Sequence, residues 1–177
     1  MKPLLSEEEI RGGVRRLAGE IEAFYAGRSL TIVCVLTGSL VFVADLIRRL
    51  DLPLRLALVQ ARSYRGTATA PEQLTMNMAM VPDIADRHVL LVDDIFDTGH
   101  TLCELMGQLG RMAPLSLRSA VLLRKLGRQQ VAIRPDHVAF DIPDRFVVGY
   151  GLDFNDLYRN LPYVAVLDDA ELGKDSA

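Results

Sequence analysis

The chain has 177 residues, of which 50% are hydrophobic, and a formal net charge of −3. This length suits one domain with a sizeable core, and the net negative charge disfavours a non-specific nucleic-acid surface. No apolar run approaches the roughly 18–20 residues of a membrane helix, and the acidic start, broken by Gly12 and Gly13, is unlike a signal peptide. We therefore expect a cytoplasmic protein with neither membrane nor nucleic-acid partners.

The first predicted element is an amphipathic helix that begins after Ser6. Ser6 and Glu9 have the spacing of a capping box. Apolar residues then recur at helical intervals from Ile10 to Phe24. We interpret this helix as structural packing.

A strand, a short turn and a second helix follow. Residues 30–36 form an apolar run typical of a buried strand, and residues 40–50 repeat apolar side chains at helical spacing. Between them, Thr37, Gly38 and Ser39 make a turn at a helix N-terminus, where backbone N–H groups can bind an anion. Many turns between a strand and a helix have this composition, so the signal is weak by itself.

Residues 54–61 predict a third strand, and a polar run at 62–71 follows it. A connection of that length favours a mobile functional loop over an idle surface loop. Beyond it, residues 74–80 alternate apolar and polar side chains, which predicts a half-exposed strand.

The most informative stretch is VLLVDDIFDTGHTL at 89–102. Residues 88–92 predict a buried parallel strand, and a helix is predicted to begin between Gly99 and Thr101. Three carboxylates, Asp93, Asp94 and Asp97, lie between the two elements. The order is therefore strand, acidic loop, small turn and helix.

That turn has the composition of a phosphate site. Gly99 permits close approach, Thr98 and Thr101 supply hydroxyl groups, and a helix N-terminus favours an anion. Carboxylates beside a phosphate suit sugar hydroxyls, a divalent metal or a proton in transit, so the stretch predicts a site for a ribose 5-phosphate. The alternative is an ordinary turn whose aspartates accept neighbouring N–H groups. It is disfavoured because loop carboxylates at strand ends usually belong to sites.

The rest of the chain predicts further strands. They are expected at 117–123, just before Lys125, and at 138–142, 146–150 and 164–167, with a turn at 151–156 and a short helical piece at 157–160. Strands that alternate with helices predict an α/β fold with a mainly parallel sheet and right-handed crossovers. Ligands bind outside the carboxyl ends of such strands, so both turns and Lys125 should converge.

Residues 89–102 resemble the 5-phosphoribosyl pyrophosphate (PRPP) motif of the type I phosphoribosyltransferases. Nearly the whole chain is similar to the hypoxanthine-guanine phosphoribosyltransferase family, through LTGS, RSYRGT, LLRK and the long block that begins RPDHVAFDIPDRFVVGYGLD. The resemblance implies a central parallel sheet flanked by helices, with a small hood made from terminal segments. It implies one domain, 1–177, with its core at about 28–135 and a hood formed by about 136–168 and the N-terminal helix.

The family reaction implied by this resemblance joins PRPP to a 6-oxopurine and yields IMP or GMP with pyrophosphate. Asp97 is implied as the general base at N7 of the purine, and Asp93 and Asp94 as partners of the ribose hydroxyls. Mg²⁺ is the implied cofactor, with Asp93, Asp94 and Asp153 as its ligands, and a homodimer or homotetramer is the implied assembly. The 5-phosphate is expected on five consecutive residues: Asp97, Thr98, Gly99, His100 and Thr101.

The same resemblance assigns the remaining contacts. Lys125 is expected to donate to the 6-oxo group and Phe146 to stack on the purine, while the carbonyls of Val147 and Asp153 accept from its other edge. Pyrophosphate is expected to contact Thr37, Gly38, Ser39 and Arg159. Ser63 and Tyr64 are expected in a lid, and the Leu36-Thr37 peptide matches a family position that can be a non-proline cis bond.

Three positions depart from the family pattern. Thr37 stands where relatives usually carry Lys or Arg, Asp93 where Glu is common, and His100 at a variable position. We expect activity to survive all three. Hypoxanthine, guanine and xanthine remain open as substrates, because they differ at C2 and backbone carbonyls read that edge.

Two other functions remain as alternatives. VLLVDD also resembles the acidic pair of a response-regulator receiver domain, but that pair closes the first strand of its fold, whereas this one lies in the middle of the chain. The second alternative is a nucleic-acid-binding regulator with a phosphoribosyltransferase fold. The presence of Asp97, Lys125 and Arg159 and the net negative charge argue against it.

Overall fold

The computed structural model of the chain describes residues 1–64, 73–168, 171 and 173, and for residues 62–64, 73 and 74 it describes the backbone alone. The described part contains three helices: α1 (Glu7–Tyr25), α2 (Leu40–Ile47) and α3 (His100–Gly110). It contains nine strands: β1 (Lys2–Leu5), β2 (Leu30–Leu36), β3 (Leu54–Tyr64), β4 (Gln73–Asn77), β5 (His88–Phe96), β6 (Ser116–Lys125), β7 (His137–Ile142), β8 (Val147–Val148) and β9 (Val164–Val166).

Six strands form the central sheet, in the order β4-β3-β2-β5-β6-β7. Neighbouring strands are parallel except β3 and β4, which are antiparallel. Six of the seven residues of β2 are buried, as expected of a parallel strand covered on both faces. The predicted α/β fold with a mainly parallel sheet is confirmed. The carboxyl ends of β2, β5 and β6 therefore lie at one edge of the sheet.

Helices cover both faces of this sheet. Side chains of β2 alternate between two cores: Ile32 and Cys34 join the one that holds α1 and α2, whereas Val33 and Val35 join the one that holds α3. The predicted capping box is present on α1, because Ser6 N donates to Glu9 Oε2 at 2.8 Å while Ser6 Oγ accepts from Glu9 N at 3.3 Å. No helix in the described ranges is long and apolar enough to span a bilayer.

A second, antiparallel sheet has the order β1-β9-β8 and forms the hood expected from terminal segments. β1 was not predicted from the sequence; it is four residues long, contains Pro3 and pairs with a strand from the other end of the chain. The helical piece predicted at 157–160 is wrong, because Leu157 forms an isolated β-bridge with Phe154 and residues 158–160 lie in a bend and a turn. Tyr158 has a φ of +74°, a left-handed conformation that a right-handed helix does not accommodate.

Some strands extend further than their apolar runs. β5 continues through the acidic residues to Phe96, because Ile95 and Phe96 pair with Leu123 and Arg124 of β6. β3 continues to Tyr64, through residues assigned to the loop, because it pairs with β4. Residues 65–71, the rest of that predicted loop, lie outside the described part of the chain.

His137, at the start of β7, is a titratable group in the core. It is 8% exposed, and its Nε2 has no hydrogen-bond partner among the described residues. Its Nδ1 lies 3.8 Å from Glu20 Oε2 on α1. Burial lowers the pKa of His137 and outweighs the opposite influence of Asp136 and Glu20. The folded protein therefore holds this imidazole neutral.

We predict that this group makes the protein less stable in mild acid. The unfolded chain takes up a proton on His137 as the pH falls through the ordinary value of 6.5, while the folded chain resists protonation until a lower pH, so acid favours unfolding. Thermal melts at pH 7.5 and 5.5 should show a larger loss of Tm for the wild type than for His137→Gln. A difference of about 1 kcal/mol corresponds to roughly 2–4 °C at this size. Equal losses in both proteins would contradict the prediction.

Candidate active site

Two turns at the carboxyl edge of the central sheet border a cavity of about 320 Å³. Residues 37–39 join β2 to α2, and residues 97–99 join β5 to α3. The lining comes from the ends of β2, β3 and β5, from the start of α3 and from the connection between β8 and β9. It comprises Val35, Leu36, Thr37, Gly38, Ala61, Asp93, Asp94, Ile95, Phe96, Asp97, Thr98, Gly99, His100, Thr101, Leu102, Asp153 and Arg159. Both predicted turns thus face the same space.

The turn before α3 requires glycine at position 99. Gly99 has a φ of +92°, and a Cβ there would lie 2.4 Å from Val131 Cγ2 and 2.7 Å from Phe96 Cζ. Gly99 is the N-cap of α3, and no side chain in the described ranges caps this helix. The first N–H groups of α3 are therefore available to an anion, and the helix dipole favours one.

The turn after β2 lies against the carboxylate of Asp94. The Leu36-Thr37 peptide is cis, as the family position allows. A Cβ on Gly38 would lie 1.7 Å from Asp94 Oδ2, and a Cβ on Gly151 would lie 2.1 Å from the carbonyl oxygen of Gly38. Gly151 has a φ of +101°, so it also needs glycine for its conformation. The two glycines allow the β8–β9 connection, the turn and Asp94 to meet.

Asp93 and Asp94 lie near the end of β5, where Asp93 is buried and Asp94 is half-buried at the cavity wall. Asp93 is 7% exposed, and its Oδ1 accepts from Asp94 N at 3.0 Å. Burial raises the pKa of Asp93 well above its ordinary value, and the neighbouring charge of Asp94 raises it further. Burial also raises the pKa of Asp94, although hydrogen bonds and the charge of Arg159 oppose the shift. Such a pair favours a ligand that donates hydrogen bonds or carries positive charge.

Arg159 reaches the cavity from the connection between β8 and β9. Its Nη1 donates to the carbonyl oxygen of Gly151 at 2.8 Å. Its Nη2 lies 2.8 Å from Asp153 Oδ1 and 3.2 Å from Asp156 Oδ1. These contacts fix the guanidinium at the cavity wall and offset part of its charge.

Asp97 is held between two cations. Its Oδ2 accepts from Lys125 Nζ at 3.0 Å, and its Oδ1 accepts from Arg128 Nε at 2.9 Å. Burial acts to raise the pKa of Asp97, but the hydrogen bonds and charges of Arg128 and Lys125 prevail and hold it below its ordinary value. Asp97 is therefore ionised at neutral pH. Asp144 lies 3.8 Å from Lys125 Nζ and 3.7 Å from Arg128 Nε.

A second cavity of about 210 Å³ adjoins the first. Four residues line both: Asp94, Ile95, Asp97 and Asp153. The second is also lined by Lys125, Phe146, Val147 and Leu152. The ring of Phe146 meets that of Phe154 edge to face, with centroids 5.4 Å apart. The residues predicted to contact a purine therefore share a space that adjoins the predicted phosphate turn.

Four other predicted residues have surroundings that differ from the expected ligand contacts or lie partly outside the described structure. Ser39 is fully buried and its Oγ donates to the carbonyl oxygen of Val35 at 2.6 Å, so its side chain faces the core. His100 lines the larger cavity, but its Nε2 lies 3.1 Å from Gln130 Oε1. The backbones of Ser63 and Tyr64 end β3, while their side chains lie outside the described part of the structure.

Arg128 and Asp144 were not predicted as site residues from the sequence. The available signal was the basic run Arg124, Lys125 and Arg128 after a predicted strand. That pattern is equally typical of a solvated strand end, and the fold alone brings Arg128 back to Asp97. Gly127, with a φ of +78°, provides the turn between Lys125 and Arg128.

Comparison with known proteins agrees with this geometry. Residues 2–155 match the family model of the phosphoribosyl transferase domain. The chain is 37% identical over 168 residues to a hypoxanthine-guanine phosphoribosyltransferase of Streptococcus pneumoniae, covering 95% of this chain and 93% of the relative. It is 35% identical over 168 residues to a hypoxanthine-guanine-xanthine phosphoribosyltransferase of Tritrichomonas foetus, covering 94% and 91%.

A solved structure is similar over the same extent. It is a mutant hypoxanthine phosphoribosyltransferase of Trypanosoma cruzi in a ternary complex with substrates. It superposes with a TM-score of 0.89 at 36% identity and covers 97% of each chain. The fold, the two facing turns and these relatives agree: the chain belongs to the hypoxanthine-guanine phosphoribosyltransferase family, within the phosphoribosyl transferase domain family.

Proposed function

We propose that this chain transfers the 5-phosphoribosyl group of PRPP to hypoxanthine, guanine or both, releasing IMP or GMP and pyrophosphate. The observation that carries the proposal is the position of Asp97. It lines both cavities, lies in the turn that begins α3 and is ionised by its contacts with Lys125 and Arg128. A carboxylate so placed borders the ribose on one side and the purine on the other. The names of the similar proteins support the same substrate class.

In this proposal the larger cavity binds PRPP. The N–H groups and hydroxyls of Thr98, Gly99, His100 and Thr101 bind the 5-phosphate. The ribose hydroxyls donate to Asp93 and Asp94, whose raised pKa values favour donors as ligands. Pyrophosphate lies against Arg159 and the turn of Thr37, Gly38 and Ser39. Displacement at the anomeric carbon develops positive charge on the ribose ring, which these carboxylates stabilise.

The smaller cavity binds the purine. Phe146 stacks on the ring, and the carbonyls of Val147 and Asp153 accept from the edge that carries C2. Lys125 donates to the 6-oxo group, and Asp97 accepts the proton from N7 as the ring forms its bond to the ribose. Adenine carries an amino donor at C6, so it would leave the Lys125 ammonium without an acceptor.

The same residues suit Mg²⁺ that arrives with the substrate. Asp93, Asp94 and Asp153 offer the oxygen ligands that this ion prefers, and all three line the larger cavity. Within the described ranges no three acidic, His or Cys side chains form a ready-made metal cluster, so oxygens of the substrate would complete the coordination. Bound there, Mg²⁺ would supply positive charge to the departing pyrophosphate.

Isothermal titration of Mg²⁺ with and without PRPP tests whether the substrate completes the metal site. Tight binding of Mg²⁺ without PRPP would contradict the proposal.

The proposal is tested by an assay with PRPP and Mg²⁺ against five bases side by side: hypoxanthine, guanine, xanthine, adenine and uracil. We expect conversion of hypoxanthine or guanine or both, and none of adenine or uracil. Separation of the nucleotides by chromatography identifies each product and determines the substrate range at C2. If PRPP binds but no base reacts, the chain is a regulator built on this fold and the proposal is wrong.

Replacing Asp97 with Asn should slow turnover by a factor of about 10²–10⁴, the usual contribution of a general base. The amide keeps the shape of the side chain but cannot accept the N7 proton. PRPP binding should be mostly retained, because the backbone groups that begin α3 are unchanged. Steady-state kinetics and titration calorimetry with PRPP measure the two effects. Turnover equal to the wild type would contradict the assignment of Asp97 as the base.

Gly38→Ala should lower kcat/KM for PRPP by about tenfold or more, because its Cβ would force Asp94 Oδ2 from its position 1.7 Å away. A displacement of about 1 Å in a catalytic site can cost 10²-fold. Gly38 does not have a left-handed φ, so the new side chain acts through space alone. The matched control is Gly19→Ala in α1, where a Cβ meets no atom within 4 Å and Ala favours the helix. Equal kinetics for the two variants would contradict the prediction.

A further inference from the structure

We propose that Arg128 is a positioning residue of this site. Arg128 holds one oxygen of Asp97 in place, while Lys125 moves from the other oxygen to the purine. The proposal rests on the proposed function, and it assigns a role to a residue that the sequence motifs do not include. Two hydrogen bonds and two longer ion pairs join the four charged groups Asp97, Lys125, Arg128 and Asp144.

The geometry gives each oxygen of Asp97 its own cation. Lys125 Nζ donates to Oδ2 at 3.0 Å, and Arg128 Nε donates to Oδ1 at 2.9 Å. Asp144 balances the second positive charge from 3.7–3.8 Å away. The four groups therefore have no net charge, and neither cation depends on Asp97 alone for a counter-ion.

The two cations differ in their surroundings. The side chain of Lys125 is 11% exposed and lines the smaller cavity, whereas that of Arg128 is 43% exposed and lines neither cavity. The turn at Gly127 and the hydrogen bond from Leu126 N to Ile142 O at 3.0 Å hold the segment that carries Arg128. Lys125 can thus turn to a ligand in the cavity while Arg128 stays on Asp97.

An oxopurine can replace Lys125 without any loss of hydrogen bonds. Its 6-oxo group accepts from Lys125, and its N7–H donates to the Oδ2 that Lys125 leaves. Oδ1 keeps its bond to Arg128, so the partly buried carboxylate is never without a cation. The guanidinium suits this task because it stays protonated at every working pH. Without Arg128, Lys125 would be the sole cation on Asp97, and its transfer to the purine would separate the pair.

The test compares Arg128→Gln, Arg128→Lys and Arg134→Gln in the intact chain. Arg134 is exposed and has no ion pair among the described contacts, so it controls for the loss of one positive charge. We expect Arg128→Gln to raise KM for the purine about tenfold, with a smaller fall in kcat and KM for PRPP within twofold of the wild type. Arg128→Lys should recover part of the loss, and Arg134→Gln should match the wild type. A rise in KM for PRPP alone would show that Arg128 serves the phosphate turn and would overturn the proposal.

A second measurement does not depend on turnover. The ¹³C carboxyl resonance of Asp97, identified by its loss in Asp97→Asn, can be titrated by NMR. The charged groups that contact it are Lys125 of β6 and Arg128, and Asp144 lies against these two cations. Loss of one of two cations should move the titration of Asp97 to higher pH in Arg128→Gln but not in Arg134→Gln. An unchanged titration in Arg128→Gln overturns the proposal even if the enzyme is inactive, whereas an inactive wild type with the shifted titration contradicts the proposed function alone.

Discussion

Negative charge at the end of β5 is the constraint that the rest of the site accommodates. Three carboxylates lie within five residues, 93–97, at the edge where parallel strands end. Their environments differ. Asp93 is buried beside the half-buried Asp94, and the pKa values of both carboxyl groups rise. Asp97 is paired with Lys125 and Arg128, and its pKa falls. One short segment thereby supplies carboxyl groups of opposite acid-base character, which can serve different parts of one substrate.

Three closely packed glycines, Gly38, Gly99 and Gly151, fix the positions of the loops that carry these carboxylates. Gly38 leaves room for the carboxylate of Asp94, Gly151 leaves room for the backbone of Gly38, and Gly99 leaves room for Val131 and Phe96. Each glycine therefore joins a loop of the site to an element that is distant in sequence. Arg159 donates a hydrogen bond to the carbonyl oxygen of Gly151, so the same glycine contacts also help to place its guanidinium in the larger cavity. The positions of Asp94 and Arg159 therefore depend on how closely Gly38 and Gly151 pack.

The sequence was most informative where local pattern and burial coincide. Apolar runs predicted β2 with its observed bounds, and the spacing of Ser6 and Glu9 predicted the cap of α1. It was least informative where pairing is non-local: β1 has no signal of its own because β9, from the other end of the chain, provides its hydrogen bonds. The same reason explains Arg128, whose role depends on a turn at Gly127 and on Asp97, 31 residues away. Motifs indicate which residue types are present, but their pairing requires the fold.

The charges that line the larger cavity bear on how the proposed polyanionic substrate would bind. Four carboxylates line this cavity, those of Asp93, Asp94, Asp97 and Asp153. Among the described residues, Arg159 is the one arginine or lysine in the lining. Arg159 is itself paired with Asp153 and Asp156, and Thr37 provides no charge. Lys125 and Arg128 are occupied by Asp97. In the proposed reaction, pyrophosphate would meet net negative charge unless cations arrived with it, so the acidic lining would favour a magnesium complex of PRPP over free PRPP.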